Sequence, residues 1–218
     1  MSMAKVLVCL DGVKRPPRVK PAASELARPV KKNRKPSIRV MIFWKRWAFP
    51  TKPMNKVPVN LEALLTEVVQ NLMSFAKENH VIVNMKVQEG AVVLADERLL
   101  GIAFGNLIDN GIRYNRSGGS VEITVFEADN GLIVQIQDTG EGIPSEEVTR
   151  IFDRFYRVEK SRARNRGGAG LGLAICQHII KLHCGRIDVM SAIGKGSTFT
   201  IRLPSITSSR VDSDLTES

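Results

Sequence analysis

Four runs of residues combine chemistry-bearing side chains with glycine or aromatic neighbours. The first is Asn106-Leu-Ile-Asp-Asn110-Gly-Ile-Arg113-Tyr114. On a helix, residues 106, 110, 113 and 114 fall within one narrow arc. Two amides, a cation and a phenol then form a polar stripe on an otherwise apolar helix. Side-chain carbonyl oxygens suit Mg²⁺, which keeps several waters and shares phosphate oxygens. Arg113 offers a planar donor fork to a phosphate. The stripe is equally compatible with two buried, hydrogen-bonded asparagines.

The second run, Asp138-Thr-Gly140-Glu-Gly142-Ile143, closes a strand-like stretch. An ionised carboxylate facing an aminopurine accepts a hydrogen bond from the exocyclic amine. The glycines permit close backbone approach and a tight turn, and Ile143 can pack on a base. A simple glycine-rich turn explains the same residues. The third run, Gly167-Gly168-Ala169-Gly170-Leu171-Gly172-Leu173, opens a helix. Convergent backbone N–H groups at a helix N-terminus cradle anions. No strand leads directly into this loop and no lysine follows the glycines, which argues against dinucleotide-binding and P-loop arrangements. The fourth run, Ile151-Phe152-Asp-Arg-Phe155-Tyr156-Arg157, continues through Lys160, Arg162, Arg164 and Arg166. Its aromatics anchor the base of a loop. Its basic residues either close over a triphosphate or form a solvated surface.

Positioning these runs requires particular elements. Asn60 caps a helix whose Leu61, Leu64, Leu65, Val68, Leu72 and Phe75 recur at spacings of three and four. Val81–Val87 alternates as a strand does, and Val92–Leu94 is a second short strand. Asp96 opens a helix running to about Asn115, apolar nearly all round and therefore buried. Val121–Glu127 and Leu132–Asp138 form a hairpin through Asp129-Asn130-Gly131. Gly170–Cys184 is a helix stopped by Gly185. Arg186–Met190 and Ser197–Leu203 form a last hairpin through Gly194-Lys195-Gly196. Hairpins with helices gathered on one face make an α+β two-layer sandwich.

The chain has 218 residues and a net charge of +10. That charge is unevenly placed. Residues 1–56 carry 15 Lys/Arg against Asp11 and Glu25, and seven of the ten prolines. The remainder is slightly acidic, so the basicity belongs to the N-terminal segment, where it suits nucleic acid or anionic lipid. Residues 1–56 lack a sustained period and read as mostly disordered, apart from the apolar cluster Ile42, Phe43, Trp44, Trp47 and Phe49. Residues 57–204 form the folded domain and residues 205–218 a flexible tail. The three cysteines, Cys9, Cys176 and Cys184, show no metal spacing, so no metal cluster is expected and free thiols in a reducing compartment are. No stretch reaches the ~20 apolar residues that span a bilayer and no signal peptide is evident, so the expected location is cytoplasmic.

Taken together in this order and spacing, the runs resemble the ATP-binding catalytic domain of bacterial two-component histidine kinases, over about two-thirds of the chain. Asn106–Asn110 resembles that family's N box, Asp138-x-Gly140-x-Gly142 its G1 box, Phe152–Phe155 its F box, and Gly168-x-Gly170-Leu171-Gly172-Leu its G2 box. Gly196-Ser-Thr-Phe199 resembles the closing strand. The resemblance implies a Bergerat-type ATP-binding fold with a mixed, largely antiparallel sheet, and Mg²⁺ and ATP as cofactors. It implies that Asn110 and Asn106 hold Mg²⁺, that Arg113 and Tyr114 touch phosphates, and that Asp138 recognises adenine. Gly140, Gly142 and Ile143 would surround the base, and Gly168, Gly170, Leu171, Gly172 and Arg157 the phosphates. Asn110 and Arg113 are the expected catalytic residues. Two departures stand out: Gly111 occupies a usual alanine position, costing ~1 kcal/mol of helix stability, and Ala169 replaces a common hydroxyl residue.

Related ATPases and serine kinases of the wider superfamily carry a glutamate four residues before the metal-binding asparagine, where it serves as a general base. Here that position is Asn106, and an amide takes no proton at neutral pH. A neutral imidazole is already nucleophilic, so Asn106 favours a histidine acceptor, phosphorylated by positioning and charge stabilisation. None of His80, His178 and His183 has the sequence context of the family's acceptor histidine. The expectation is a module donating phosphate to a histidine-containing domain in trans, and from there to a response regulator. The alternatives are a truncated ATP-binding product that transfers nothing to itself, and a nucleotide-gated binding protein whose basic tail contacts an anionic partner.

Overall fold

The computed structural model describes residues 54–128, 131–158 and 170–204. Several expectations lie outside the described residues: those for residues 1–53 and 205–218, the Asp129-Asn130 turn, Lys160, Arg162, Arg164 and Arg166, and Gly167, Gly168 and Ala169 of the glycine run.

Strand β1 (Val57–Asn60) leads directly into helix α1 (Leu61–Glu78). Asn60 is the N-cap, its Oδ1 accepting the Ala63 N–H at 3.1 Å, so one orphan donor of the first turn is satisfied. Strands β2 (Ile82–Val87) and β3 (Val92–Ala95) follow, then helix α2 (Glu97–Arg113). Asp96 caps α2 by accepting the Leu99 N–H at 3.1 Å, and its other oxygen accepts the Asn55 N–H at 3.2 Å. Contacts with the body thus reach back to Asn55 and to Met54, which packs on the core. Strands β4 (Ser120–Ala128) and β5 (Gly131–Asp138), helix α3 (Gly172–Leu182), and strands β6 (Arg186–Ala192) and β7 (Gly196–Pro204) complete the order.

The main sheet has the order β2-β4-β5-β7-β6. Its β2–β4 pair is parallel and the other pairs are antiparallel. This is the mixed, largely antiparallel sheet expected. Cross-strand register aligns the inward-facing side chains in rows. Met85, Ile123, Ile136, Phe199 and Val189 make one row, and Val87, Val125, Val134, Ile201 and Ile187 the next. Helix α2 packs against this layer through β4 and β5, with α1 and α3 beside it. Its Leu100, Ala103, Phe104, Leu107, Ile108 and Ile112 are at most 1% exposed. Each such large apolar side chain contributes roughly 1.5–3 kcal/mol on burial.

Four details correct the sequence expectations. The antiparallel ribbon β1–β3 was not foreseen; a four-residue strand containing Pro58 is recognisable only beside its partner. Helix α3 begins at Gly172, because Gly170 stands at φ +68° outside the helix. Its stop is made by Cys184, which takes the left-handed φ of +57°. Gly185 answers a different need, since a Cβ there would stand 2.5 Å from the Arg202 carbonyl oxygen. The last hairpin turns through Ile193-Gly194-Lys195, one residue earlier than the glycine pattern suggests.

Candidate functional site

The site is built around α2, whose two ends meet different loops. Along β5, Leu132, Val134 and Ile136 alternate inward, and Asp138 occupies the next position of the same buried row. A carboxylate at an apolar position must be hydrogen-bonded. Asp138 Oδ1 accepts the Gly140 N–H at 2.8 Å and the Ser197 N–H at 3.3 Å. Burial pushes its carboxyl above the usual carboxylate range, opposed by hydrogen bonds from Gly140 and Ser197. The two amides hold Oδ1 in place at the end of β5.

The C-terminal half of α2 lies against this strand end. A Cβ on Gly111 would stand 3.1 Å from Val121 Cγ2 and 3.5 Å from Asp138 Cβ. Gly111 therefore lets α2 approach β4 and β5 closely, which gives its low helix propensity a physical return. Beyond the helix, Tyr114 accepts the Glu141 N–H through its carbonyl at 3.1 Å. A Cβ at Gly140 would fall 2.4 Å from that same carbonyl oxygen. Asn115, which sequence reasoning passed over, is buried and locks the junction. Its Nδ2 donates to the Gly111 carbonyl at 3.0 Å and to the Ser120 carbonyl at 2.9 Å, and its Oδ1 accepts from Thr139 Oγ1 at 3.2 Å.

The polar stripe on α2 is half-buried, at Asn106, Asn110, Arg113 and Tyr114. Asn106 Nδ2 donates to the Ile102 carbonyl at 2.9 Å, which fixes its amide and turns Oδ1 towards α3. A Cβ on Gly172 would stand 3.0 Å from that oxygen, so the glycine brings the α3 N-terminus onto Asn106. The Asn110 carboxamide makes no hydrogen bond among the described residues. Arg113 is held by Asp109 in a two-pronged ion pair, Nε to Oδ2 at 3.0 Å and a terminal nitrogen to Oδ1 at 2.8 Å. The guanidinium also lies 4.9 Å over the Phe75 ring centroid of α1. The bond to Asp109 raises the Arg113 pKa further, so its charge is permanent. A phosphate contact by Arg113 would therefore share the guanidinium with Asp109, a residue whose part in the site the sequence pattern did not suggest.

Among the described residues no group of three or more His, Cys, Asp or Glu converges as a metal site. The donors that fit a cation are the neutral amides of Asn106 and Asn110. Such a set suits Mg²⁺ completed by water and phosphate oxygens, and does not suit zinc or a cluster.

The third motif and the aromatic run meet at Gly170. The Phe155 N–H donates to the Gly170 carbonyl at 2.8 Å. Phe155 itself stands at φ +65°, and a Cβ at Gly170 would meet the Tyr156 carbonyl oxygen at 2.8 Å. Phe152 packs against the core, as an anchor of the run should. Leu171 is buried and is the N-cap residue of α3, without a side-chain cap. Without a side-chain acceptor at the cap, the first α3 amides are left to another acceptor. Arg157 is exposed and makes no hydrogen bond or ion pair among the described residues. Arg150 rather than Arg157 lies over the Tyr156 ring, at 4.2 Å.

Ser191, which has no sequence signature, and Ser197 of the Gly196-Ser-Thr-Phe199 run complete the base of the site. Ser191 Oγ accepts the Ile143 N–H at 2.8 Å and lies 2.9 Å from Ser197 Oγ. Gly142, at φ +70°, runs so close to β6 that a Cβ would stand 2.0 Å from the Ala192 carbonyl oxygen. Nothing in the residues around Ser191 signals the bond to Ile143, because that partner arrives from 48 residues away.

His183 ends α3 far from these groups. Its Nδ1–H donates to the Ile179 carbonyl at 2.8 Å and its Nε2 accepts the Asp96 N–H at 3.0 Å. Burial lowers its pKa, and both ring nitrogens are used structurally. No helix among the described residues is long and apolar enough to cross a membrane.

Known proteins share this sequence pattern and this fold. Residues 95–207 match the family described as Histidine kinase-, DNA gyrase B-, and HSP90-like ATPase. The sensor histidine kinase RppB of Synechocystis sp. (strain ATCC 27184 / PCC 6803 / Kazusa) is 41% identical over 145 residues, 66% of this chain and 32% of RppB. The chain thus spans about a third of that relative's length. Among solved structures, a mycobacterial sensor histidine kinase, MprB, superposes with a TM-score of 0.61 at 27% identity, covering 69% of this chain and 97% of that one. Full-length ShkA in complex with AMPPNP gives a TM-score of 0.66 at 26% identity, covering 75% of this chain and 34% of ShkA.

Proposed function

From the premise that the chain belongs to the family of histidine kinase-, DNA gyrase B- and HSP90-like ATPases, we propose that it binds Mg-ATP and donates the γ-phosphoryl group to a histidine on another domain or protein. The observation that carries this reading is the convergence on α2. Asn106 faces the N-terminus of α3, and Gly111 and Tyr114 lie against the Asp138–Glu141 turn. A base-reading carboxylate and a phosphate-binding helix end therefore flank one polar helix face.

Each residue has a role in this reading. Asp138 accepts a hydrogen bond from the adenine amine, and Ile143 and the backbone at Gly140 and Gly142 shape the base pocket. Asn110 and Asn106 hold Mg²⁺, which supplies charge neutralisation for the phosphates. Arg113 and Tyr114 approach the phosphates from the end of α2. Gly170, Leu171 and Gly172, with Gly168 before them, present backbone N–H groups to them, and Arg157 approaches from the aromatic run. In the transfer a neutral imidazole nitrogen forms a P–N bond while the bond from the γ-phosphorus to the ADP oxygen breaks. ADP leaves with the charge, and the imidazole proton passes to solvent. Position 106 offers an amide and no general base, and this acceptor needs little activation.

The phosphoryl group then passes to a response regulator in a two-component system, with the chain acting in the cytoplasm. The similarity to sensor histidine kinases supports this assignment. The domain of residues 57–204 carries the chemistry, flanked by the segments 1–56 and 205–218.

Labelled ATP, the full chain and a supplied histidine-containing hairpin domain test the proposal. Transfer to the histidine domain is expected, and Asn110→Ala is expected to abolish it. Sustained ATP binding with no histidine domain ever labelled would sink the kinase reading.

A further inference from the structure

The β6–β7 hairpin holds one hydroxyl whose bonds reach the base end of the site. Ser191 Oγ accepts the Ile143 N–H at 2.8 Å, donates to the Gly196 carbonyl at 2.8 Å, and lies 2.9 Å from Ser197 Oγ. A serine hydroxyl has one proton and two acceptor sites. The Gly196 carbonyl can only accept, so it takes the Ser191 proton. Ser197 must then be the donor in the contact between the two hydroxyls. Ser191 is fully used, and the single Ser197 hydroxyl proton is committed to it.

Through Ser197 this network reaches Asp138, whose Oδ1 accepts the Ser197 N–H at 3.3 Å. The Ser191 hydroxyl also fixes the Asp138–Ile143 turn by accepting the Ile143 N–H. A second tie runs from the Gly194 N–H to the Glu141 carbonyl at 2.8 Å. The close approach of Gly142 to Ala192 leaves little slack between turn and hairpin.

We propose that Ser191 is a positioning residue for the base end of the nucleotide site, pinning Ile143 and bracing Ser197, whose N–H bonds the Asp138 carboxylate. This rests on the ATP-binding reading above. The hydroxyl contacts no ligand itself; it acts through Ile143 and Ser197.

The test uses the full chain titrated with ATP and, separately, with inorganic tripolyphosphate, which has the phosphates and no base. Ser191→Ala is expected to weaken ATP binding by about two- to tenfold, the range of one or two net hydrogen bonds. Tripolyphosphate binding should stay unchanged. Ser191→Thr, which keeps the hydroxyl, should recover the ATP affinity. Amide hydrogen exchange without nucleotide reads the clamp directly: the Ile143 N–H should exchange faster in Ser191→Ala and stay protected in Ser191→Thr. Unchanged Ile143 exchange overturns the inference and leaves the ATP reading standing. Equal losses for ATP and tripolyphosphate overturn it too, as a general loosening of the fold. Failure of the unmodified chain to bind ATP overturns the functional reading, and the base-end role with it.

Discussion

At the residue scale the balance at Asp138 separates stability from binding. Burial raises its carboxyl above the ordinary range, so the folded state holds that proton more tightly than the unfolded chain does. The contribution to stability is therefore present below the unfolded pKa and lost as pH rises through the folded one. The proposed base recognition runs the other way, because it would use the ionised form. Asp138→Asn keeps the shape and removes the charge. At pH 7 it is expected to leave the urea midpoint unchanged or raised while weakening ATP binding by roughly tenfold or more, the scale of a charge-assisted hydrogen bond. Calorimetric titration beside urea unfolding checks both halves. A parallel loss of stability and affinity would make Asp138 architectural. Gly142 offers the opposite case. With φ at +70° and no room for a Cβ beside Ala192, Gly142→Ala should cost stability of about 1–3 kcal/mol and weaken ATP binding as well, read in the same two assays.

At the element scale the placement of α2 depends on what holds its two ends. Its start is tied by Asp96, which caps the helix, accepts from Asn55 and donates its N–H to His183. The contact with His183 joins the start of α2 to the end of α3, whose other end is the proposed phosphate cradle. Burial lowers the His183 pKa, with Lys56 adding to the effect and Asp96 and the Ile179 carbonyl opposing it. A lowered histidine favours the neutral ring in the fold. Its contribution is intact above the unfolded value of about 6.5 and is lost as pH falls below it. Urea unfolding from pH 8 to pH 5 should therefore show stability declining below about pH 6.5. His183→Ala should flatten part of that decline and cost about 1–3 kcal/mol at pH 8, because the Asp96 N–H is left buried and unpaired. An unaltered pH profile in the variant would remove His183 from this role.

At the scale of the whole molecule, charge and chemistry are separated along the chain. Residues 1–56 carry 15 Lys/Arg against two acidic residues, while the rest of the chain is slightly acidic. If that segment supplies an anionic-partner site, binding of the full chain to DNA or to acidic-lipid vesicles should weaken steeply as salt rises. ATP binding should follow salt far more weakly, since its contacts are concentrated in a half-buried site. Equal salt slopes for the two ligands would contradict this division. Much of the site is legible in the amino-acid sequence alone, because Asn60 and Asp96 announce their helices, and Leu132, Val134, Ile136 and Asp138 announce a buried row ending in a carboxylate. Much of its support is not legible there: Asn115 reaches Thr139, Ser191 reaches Ile143 and Ser197 reaches Asp138, each across a long stretch of chain.

What the sequence determined by itself was local. Caps, the period of apolar residues and the positions of glycine act over a few residues, so the helices, most strands and the motifs on them follow from neighbours in the chain. Even the Arg113–Asp109 pair lies within one helical turn, although its place beside the site emerges only from the fold. Tertiary structure alone decided the contacts that cross the fold. The β1–β3 ribbon, the parallel docking of β2 on β4, the His183–Asp96 bond across 87 residues and the Ser191–Ile143 bond across 48 have no local signature. Each depends on segments distant in the chain being brought together by the fold. Asp138 thus owes its position in the row to sequence alternation, and its surroundings to a hairpin that reaches it only in the folded protein.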